Sequence, residues 1–193
     1  MALILASSSP IRRAMLMQSG LEFESIPAAV DEESERHRHD CAQSLATALA
    51  QAKAVAVSET HSGDWVIGSD SVVTSDGRIF AKPDDIEEAA DHLRFFSGKP
   101  MRLTSAVALA RGGAVEWSHC DSATLQVRPL SDAFIAAYLD AEWPEVGYCV
   151  GVFRLEGRGV QLFDSIDGSY FTILGMPLVP LLRALRQRGV IAA

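Results

Sequence analysis

The chain has 193 residues, of which 48% are hydrophobic and 22% charged. That is enough for one α/β core and unlike a disordered tail, a collagenous rod or a disulfide-dense mini-protein. Its 17 basic and 25 acidic residues leave a net charge of −8, which repels a nucleic acid but not a small phosphate-bearing ligand held by a few clustered cations.

Three cysteines, Cys41, Cys120 and Cys149, are too few and too scattered for a disulfide framework or a CxxC metal site, and are expected as reduced thiols in the cytoplasm. No apolar run approaches the ~20 residues of a membrane helix. The first arginines follow the apolar N-terminal stretch, the reverse of a secretory signal. Neither a membrane nor a nucleic acid is expected as a partner.

Along the chain, short apolar strands alternate with amphipathic helices, which favours α/β. Ala2 to Ala6 reads as a buried strand running into Ser7-Ser8-Ser9-Pro10. Ser9 is placed to cap a helix with Pro10 at its first position, ending at Ser19-Gly20. The acidic run Asp31-Glu32-Glu33 reads as a solvated loop. Asp40 with Gln43 reads as a capping box for a second helix with Leu45, Leu49, Ala52 and Val55 on one face.

Trp65 to Thr74 is a strand, turned by Ser75-Asp76-Gly77 into Arg78 to Phe80. Asp84 and Glu87 open another helix, ending at Ser97-Gly98. Leu103 to Ala110 and Ala114 to Val127 read as antiparallel strands around Gly112-Gly113. Ser131 caps a helix that ends before Pro144. Val160 to Phe163 and Tyr170 to Leu174 flank an Asp167-Gly168 turn, and Pro177 to Arg188 forms the last helix. Helical crossovers mixed with hairpins imply a mixed sheet, in one domain over residues 1–193.

Three places carry candidate chemistry. The turn Ser7-Ser8-Ser9-Pro10-Ile11-Arg12-Arg13 sets hydroxyls and two cations at a helix N-terminus, whose unpaired N–H groups favour an anion. A plain serine cap with two solvated arginines is the alternative. Asp70 lies among apolar neighbours in Val66 to Val73, where an aspartate is disfavoured, so a buried carboxylate needing a cation, a metal or hydrogen bonds is expected there. Gly68 would admit a close backbone or ligand.

Lys53 lies on the polar side of an alanine-rich helix, and Lys82 in the loop before Pro83. Each is either solvated or a phosphate ligand. The acidic run, paired with Asp70, would supply oxygen ligands for Mg²⁺. His37 and His39, in SERHRHD, lack a metal-ligand pattern. No GxxxxGK, GxGxxG or GxSxG is present.

Read in order, these segments resemble the Maf family of nucleoside triphosphate pyrophosphatases. The resemblance is carried by LILASSSPIRRAML, VDE at Val30 to Glu32, LAQAKA with Lys53, IGSDSVV with Asp70 and AKP with Lys82. It continues through LRFFSGK, TSAVAL, FRLEGRGVQLF and IDGSYFTILGMPL. It implies a two-lobed α/β fold with a long twisted mixed sheet and a central cleft. It also implies hydrolysis of a nucleoside triphosphate to the monophosphate and pyrophosphate with Mg²⁺ or another divalent cation such as Mn²⁺, in a cytoplasmic homodimer.

By motif, Asp70 resembles the general base, Glu32 a metal-side carboxylate beside it, and Lys82 a further catalytic group. Ser7, Arg12, Arg13 and Lys53, together with Lys82, resemble the phosphate-holding groups. Residues resembling the specificity positions are Ile11, Ser71 and Glu156. The dTTP/UTP subgroup has arginine, threonine and glutamine there, and KAG where this chain has Cys149-Val150-Gly151. The 7-methyl-GTP subgroup has cysteine and glutamate at the Cys149 and Glu156 positions, while Ile11 and Ser71 match neither. A carboxylate at Glu156 suits the N–H groups of guanine or a cationic methylated ring, so a modified purine is favoured over a pyrimidine. A non-catalytic nucleotide-binding regulator of cell division is the reading from another class.

Overall fold

A computed structural model describes residues 2–192. Seven strands form one mixed sheet: β1 (Leu3–Leu5), β2 (Glu24–Ser25), β3 (Trp65–Ser75), β4 (Arg78–Phe80), β5 (Pro100–Arg111), β6 (Ala114–Val127) and β7 (Phe163–Asp167). The strand order is β2-β1-β3-β5-β6-β7, with β4 paired to β3. β1 is parallel to both β2 and β3, whereas β3–β4 and β6–β7 are antiparallel. The mixed α/β class read from alternating helices and hairpins is the class observed.

The helices are α1 (Pro10–Gln18), α2 (Glu32–Arg36), α3 (Ala42–Ser58), α4 (Ile86–Phe96), α5 (Asp132–Glu142), α6 (Tyr170–Ile173) and α7 (Leu178–Gln187). Among them α2, α3, α4 and α5 begin at a side-chain cap. Ser131 Oγ accepts from the Phe134 N–H, as expected.

Several local expectations need correction. Ser9 caps α1 through extended backbone alone, its hydroxyl making no cap bond. The cap of α3 is Cys41, not Asp40, with the Ser44 N–H donating to Sγ. Likewise α4 is capped by Asp85, one residue beyond Asp84. The acidic run is a short helix rather than a loop, because Asp31 accepts from the Ser34 N–H and Glu32 and Glu33 favour the positive end of the helix dipole. Beyond the Asp167-Gly168 turn the chain is helical in α6, and before it Arg158–Leu162 is a 3-10 turn ahead of β7.

Contacts divide the chain into two compact units, each discontinuous in sequence. The first holds residues up to Ser71, Thr104–Asp121 and the chain from Ser169. Its core joins β1, β3 and β5 to α1 and α7 through Leu3, Leu5, Leu16, Ile67, Leu109 and Leu181. The second holds Val72–Leu103 and Ser122–Gly168, with Phe80, Phe96, Met101, Leu125 and Ile135 among its buried side chains.

Candidate active site

The first unit assembles a polar site at the C-terminal end of β1, beside β3. Register Leu5↔Ile67 brings Ser7, two residues past β1, alongside the stretch leading to Asp70. Ser7 is buried, its Oγ accepts from the Ser9 N–H at 3.2 Å and its carbonyl accepts from Ser25 Oγ at 2.9 Å. The strand thus hands the chain to α1 in a fixed turn.

Asp70 is 8% exposed, and its compensating cation is Lys53. Nζ of Lys53 donates to Asp70 Oδ1 at 2.6 Å and lies 2.6 Å from Glu32 Oε1. One ammonium therefore ties α2, α3 and β3 together. Lys53 is not a solvated surface lysine: its side chain is 13% exposed. Gly68 explains how α3 comes so close. A Cβ there would overlap the Ala50 carbonyl oxygen and lie 2.6 Å from the Ala54 nitrogen, so only glycine lets the backbone of α3 rest on β3. The close approach read from Gly68 is that of a helix.

Arg12 projects from the first turn of α1. Its Nε donates to the Gly175 carbonyl at 2.9 Å and its Nη2 to Ser71 Oγ at 3.0 Å. Burial pulls the guanidinium pKa below its usual value, while the charges of Asp70 and Glu32 act in the opposite direction. Ser69, one residue before Asp70, points to the other face of β3 and donates to the Ala106 or Gly175 carbonyl, at 2.8 and 2.9 Å.

Ser7, Arg12, Glu32, Lys53, Asp70 and Ser71 thus all belong to the first unit. Arg13, placed with the phosphate-holding groups by motif, is exposed. It lines a surface pocket of about 340 Å³ with Met17, Leu21 and Phe23. Ile11 is half-buried. Lys82 and Glu156 belong to the second unit. Lys82 is exposed in the loop after β4, and Glu156 pairs with Arg154 at 3.4 Å. Cys149 lies near Glu156, and burial first, then that carboxylate, pushes its thiol pKa up to about 11.

Sequence reasoning does not single out Ser69, Ser105, Thr172 or Gly175. The segments TSAVAL and TILGMPL contain the last three, but their partners lie on distant parts of the chain. Among the described residues, no group of three or more His, Cys, Asp or Glu is placed to hold a metal ion. The two carboxylates gathered on Lys53 are the hard oxygen donors that Mg²⁺ or Mn²⁺ takes. Two carboxylates suffice where substrate phosphates and water fill the remaining positions.

The sequence profile described as Maf-like protein matches residues 2–188. The chain belongs to the Maf family. A curated relative from Sphingopyxis alaskensis, named nucleoside triphosphate pyrophosphatase, is 48% identical to this Maf protein over 195 residues, covering 98% of each chain. Another, from Rhizobium etli and named 7-methyl-GTP pyrophosphatase, is 47% identical over 193 residues, covering 98% of this Maf protein and 97% of the relative. A crystal structure of a nucleoside-triphosphatase, or dITP/XTP pyrophosphatase, from Mycobacterium abscessus shares 19% identity with this Maf protein. Its TM-score is 0.42, over 66% of this chain and 73% of that one.

Proposed function

We propose that this Maf protein is a nucleoside triphosphate pyrophosphatase, a hydrolase that converts a (deoxy)nucleoside triphosphate to the monophosphate and pyrophosphate. The observation that carries the reading is Asp70, a nearly buried carboxylate held by an ammonium that Glu32 shares, 2.6 Å from each. Structural ion pairs do not require a second carboxylate on the same cation, and Arg12, near enough to feel both carboxylates, brings a second cation to the site for a polyphosphate.

In this reading water attacks the α-phosphorus, and the bond from that phosphorus to the bridging oxygen breaks as pyrophosphate departs. Asp70 orients the water and takes its proton. Arg12 and Lys53, with the N–H groups at the start of α1, stabilise the charge that develops on the bridging oxygen and the leaving group. Ser7 shapes the turn that presents those N–H groups. Glu32 and Asp70 would hold Mg²⁺ or Mn²⁺, which when bound supplies Lewis-acid stabilisation to the phosphate oxygens. Lys82 and Arg13 are assigned to the outer phosphates.

The base read is a modified purine such as 7-methyl-GTP, with Glu156 and Ile11 as selectivity residues. The name of the Rhizobium etli relative and the Glu156 carboxylate support that choice. The whole chain is taken as a single functional domain, in a cytoplasmic homodimer. Among the described residues, no helix is long and apolar enough to cross a membrane.

The test is a product assay with Mg²⁺ on dTTP, UTP, GTP, dGTP and 7-methyl-GTP, with Asp70→Asn as control. The expected result is monophosphate plus pyrophosphate, fastest from 7-methyl-GTP and formed about 10³-fold more slowly by the variant. Orthophosphate plus diphosphate, or no turnover of any substrate, would overturn the reading. Undiminished nucleotide binding without turnover would point to a nucleotide-binding regulator.

A further inference from the structure

Arg12 is the cation beside the turn into α1, and its orientation depends on residues that the reaction scheme does not use. Ser105 and Thr172 are completely buried, yet both belong to a line of hydrogen bonds that begins at the guanidinium and passes through the Thr172 backbone carbonyl. Ser71 Oγ lies 2.8 Å from Ser105 Oγ, Ser105 Oγ donates to the Thr172 carbonyl at 2.8 Å, and Thr172 Oγ1 donates to Asp121 Oδ2 at 2.7 Å.

Counting protons fixes the direction of this line. A guanidinium only donates, so Ser71 accepts from Arg12. A carbonyl only accepts, so the single proton of Ser105 is committed to Thr172. Ser105 is then left with lone pairs, and it accepts from Ser71 at a shorter distance than Gly175, whose carbonyl lies 3.2 Å from Ser71. Every hydroxyl therefore points away from Arg12, and a lone pair of Ser71 faces it.

The second anchor of Arg12 is the Gly175 carbonyl, three residues past Thr172. Both anchors thus trace to one segment, which Thr172 fastens to Asp121 at the end of the β6 stretch in this unit. Gly175 has φ +103°, and a Cβ there would lie 3.2 Å from Ser71 Oγ and 3.5 Å from Arg12 Nε, so the segment is shaped for this approach. Among the described residues two of the five guanidinium N–H bonds are used, which leaves three for an anion.

We infer that Ser71, Ser105 and Thr172 are positioning residues for Arg12, a directed hydroxyl relay that aims its three remaining N–H groups at the polyphosphate of the substrate. This rests on Arg12 being a phosphate ligand, as proposed for the reaction. It also moves Ser71, matched by motif to a base-reading position, to the phosphate end of the site, where it acts through Arg12.

The test measures kcat and KM of the full-length protein for 7-methyl-GTP and GTP, alongside calorimetric affinity for inorganic tripolyphosphate. The variants are Ser105→Ala, Thr172→Val and Thr172→Ser, each alone and with Arg12→Lys, with a melting curve for each to confirm folding. Losing one hydrogen bond of the relay corresponds to roughly a 2- to 12-fold effect where it is neutral, and to about 12-fold or more where Thr172 meets the Asp121 carboxylate. Ser105→Ala and Thr172→Val are expected to raise KM and weaken tripolyphosphate binding by those factors, respectively, with little change in kcat, and Thr172→Ser to restore both.

In the Arg12→Lys background the same substitutions are expected to have no further effect on KM. Equal effects with and without Arg12, or losses of kcat that track melting temperature alone, would overturn the inference. A wild-type protein that binds tripolyphosphate but cleaves no nucleotide would overturn the pyrophosphatase reading instead. The relay would then be judged by the same coupling, read in tripolyphosphate affinity. A wild-type protein that binds no tripolyphosphate overturns the relay as a phosphate-aiming device.

Discussion

Lys53 Nζ and Asp70 Oδ1 are 2.6 Å apart, with side chains 13% and 11% exposed, and the same ammonium serves Glu32. The two partners of this contact are therefore not equivalent. Asp70→Asn leaves Lys53 still paired with Glu32, so stability is expected to stay near wild type while turnover falls about 10³-fold for loss of a general base. Lys53→Met strips the cation from a buried carboxylate and is expected to cost about 3 kcal/mol as well as activity. Denaturant unfolding of the two variants separates them. Equal stability losses would show that Asp70 has another compensating charge.

Gly68→Ala tests how α3 is seated. The added methyl meets the Ala50 carbonyl and Ala54, backbone that cannot yield as a side chain tip can. Stability is expected to fall by about 1–3 kcal/mol, and kcat to fall with it as Lys53 is carried away from Asp70. A variant with wild-type kcat and melting temperature would show that α3 tolerates the shift.

His92 predicts an acid-side loss of stability. Its ring packs edge-on against Phe80 at 5.1 Å between centroids, and its buried Nδ1 has no hydrogen-bond partner among the described residues. Burial lowers its pKa, reinforced by Arg78 and opposed by Glu88 and Asp91. The neutral ring is thus favoured in the fold. Above the unfolded value of about 6.5 the group is neutral in both states and contributes no pH dependence. As pH falls below that value the unfolded chain takes up a proton first, so stability declines until the folded pKa is passed. Melting temperatures from pH 8 to 5 should show this slope, and His92→Phe should flatten it. An unchanged slope would assign it to other groups.

The cysteines should differ in reactivity. Hydrogen bonding with the side chain and then the backbone of Ser44 lowers the pKa of the exposed Cys41 thiol, whereas Cys149 is raised to about 11. Iodoacetamide at pH 8 is expected to label Cys41 well before Cys149, because the thiolate is the nucleophile. Peptide mass mapping over time checks the order. Faster labelling of Cys149 would mean that its surroundings open in solution.

Much of the site is legible in the sequence because its signals are local. An aspartate in an apolar strand after a glycine marks Asp70 by its cost, and the Ser-Pro turn marks the start of α1. Long-range pairings are not legible. Nothing in the spacing of Glu32, Lys53 and Asp70 states that one ammonium serves both acids, since that depends on α2 forming where a loop is expected and on α3 resting on Gly68. The cap at Cys41 escapes a reading by residue type because a thiol is a weaker acceptor than the neighbouring Asp40 carboxylate, yet backbone geometry selects it. Ser105 and Thr172 look like ordinary polar residues, and their role emerges only when β5 and α6 bring them to Ser71.

The partner of Arg12 Nε, the Gly175 carbonyl, lies 163 residues further along the chain. A growing polypeptide therefore carries Ser7, Arg12, Glu32, Lys53 and Asp70 long before the segment that aims Arg12 has been made. Chains that stop short of residue 175 hold the acid, the lysine and Ser71 but a guanidinium without its carbonyl anchor. The orientation of Arg12 is thereby completed only when residues 172–175 have been made and have folded back onto Ser71 and Ser105.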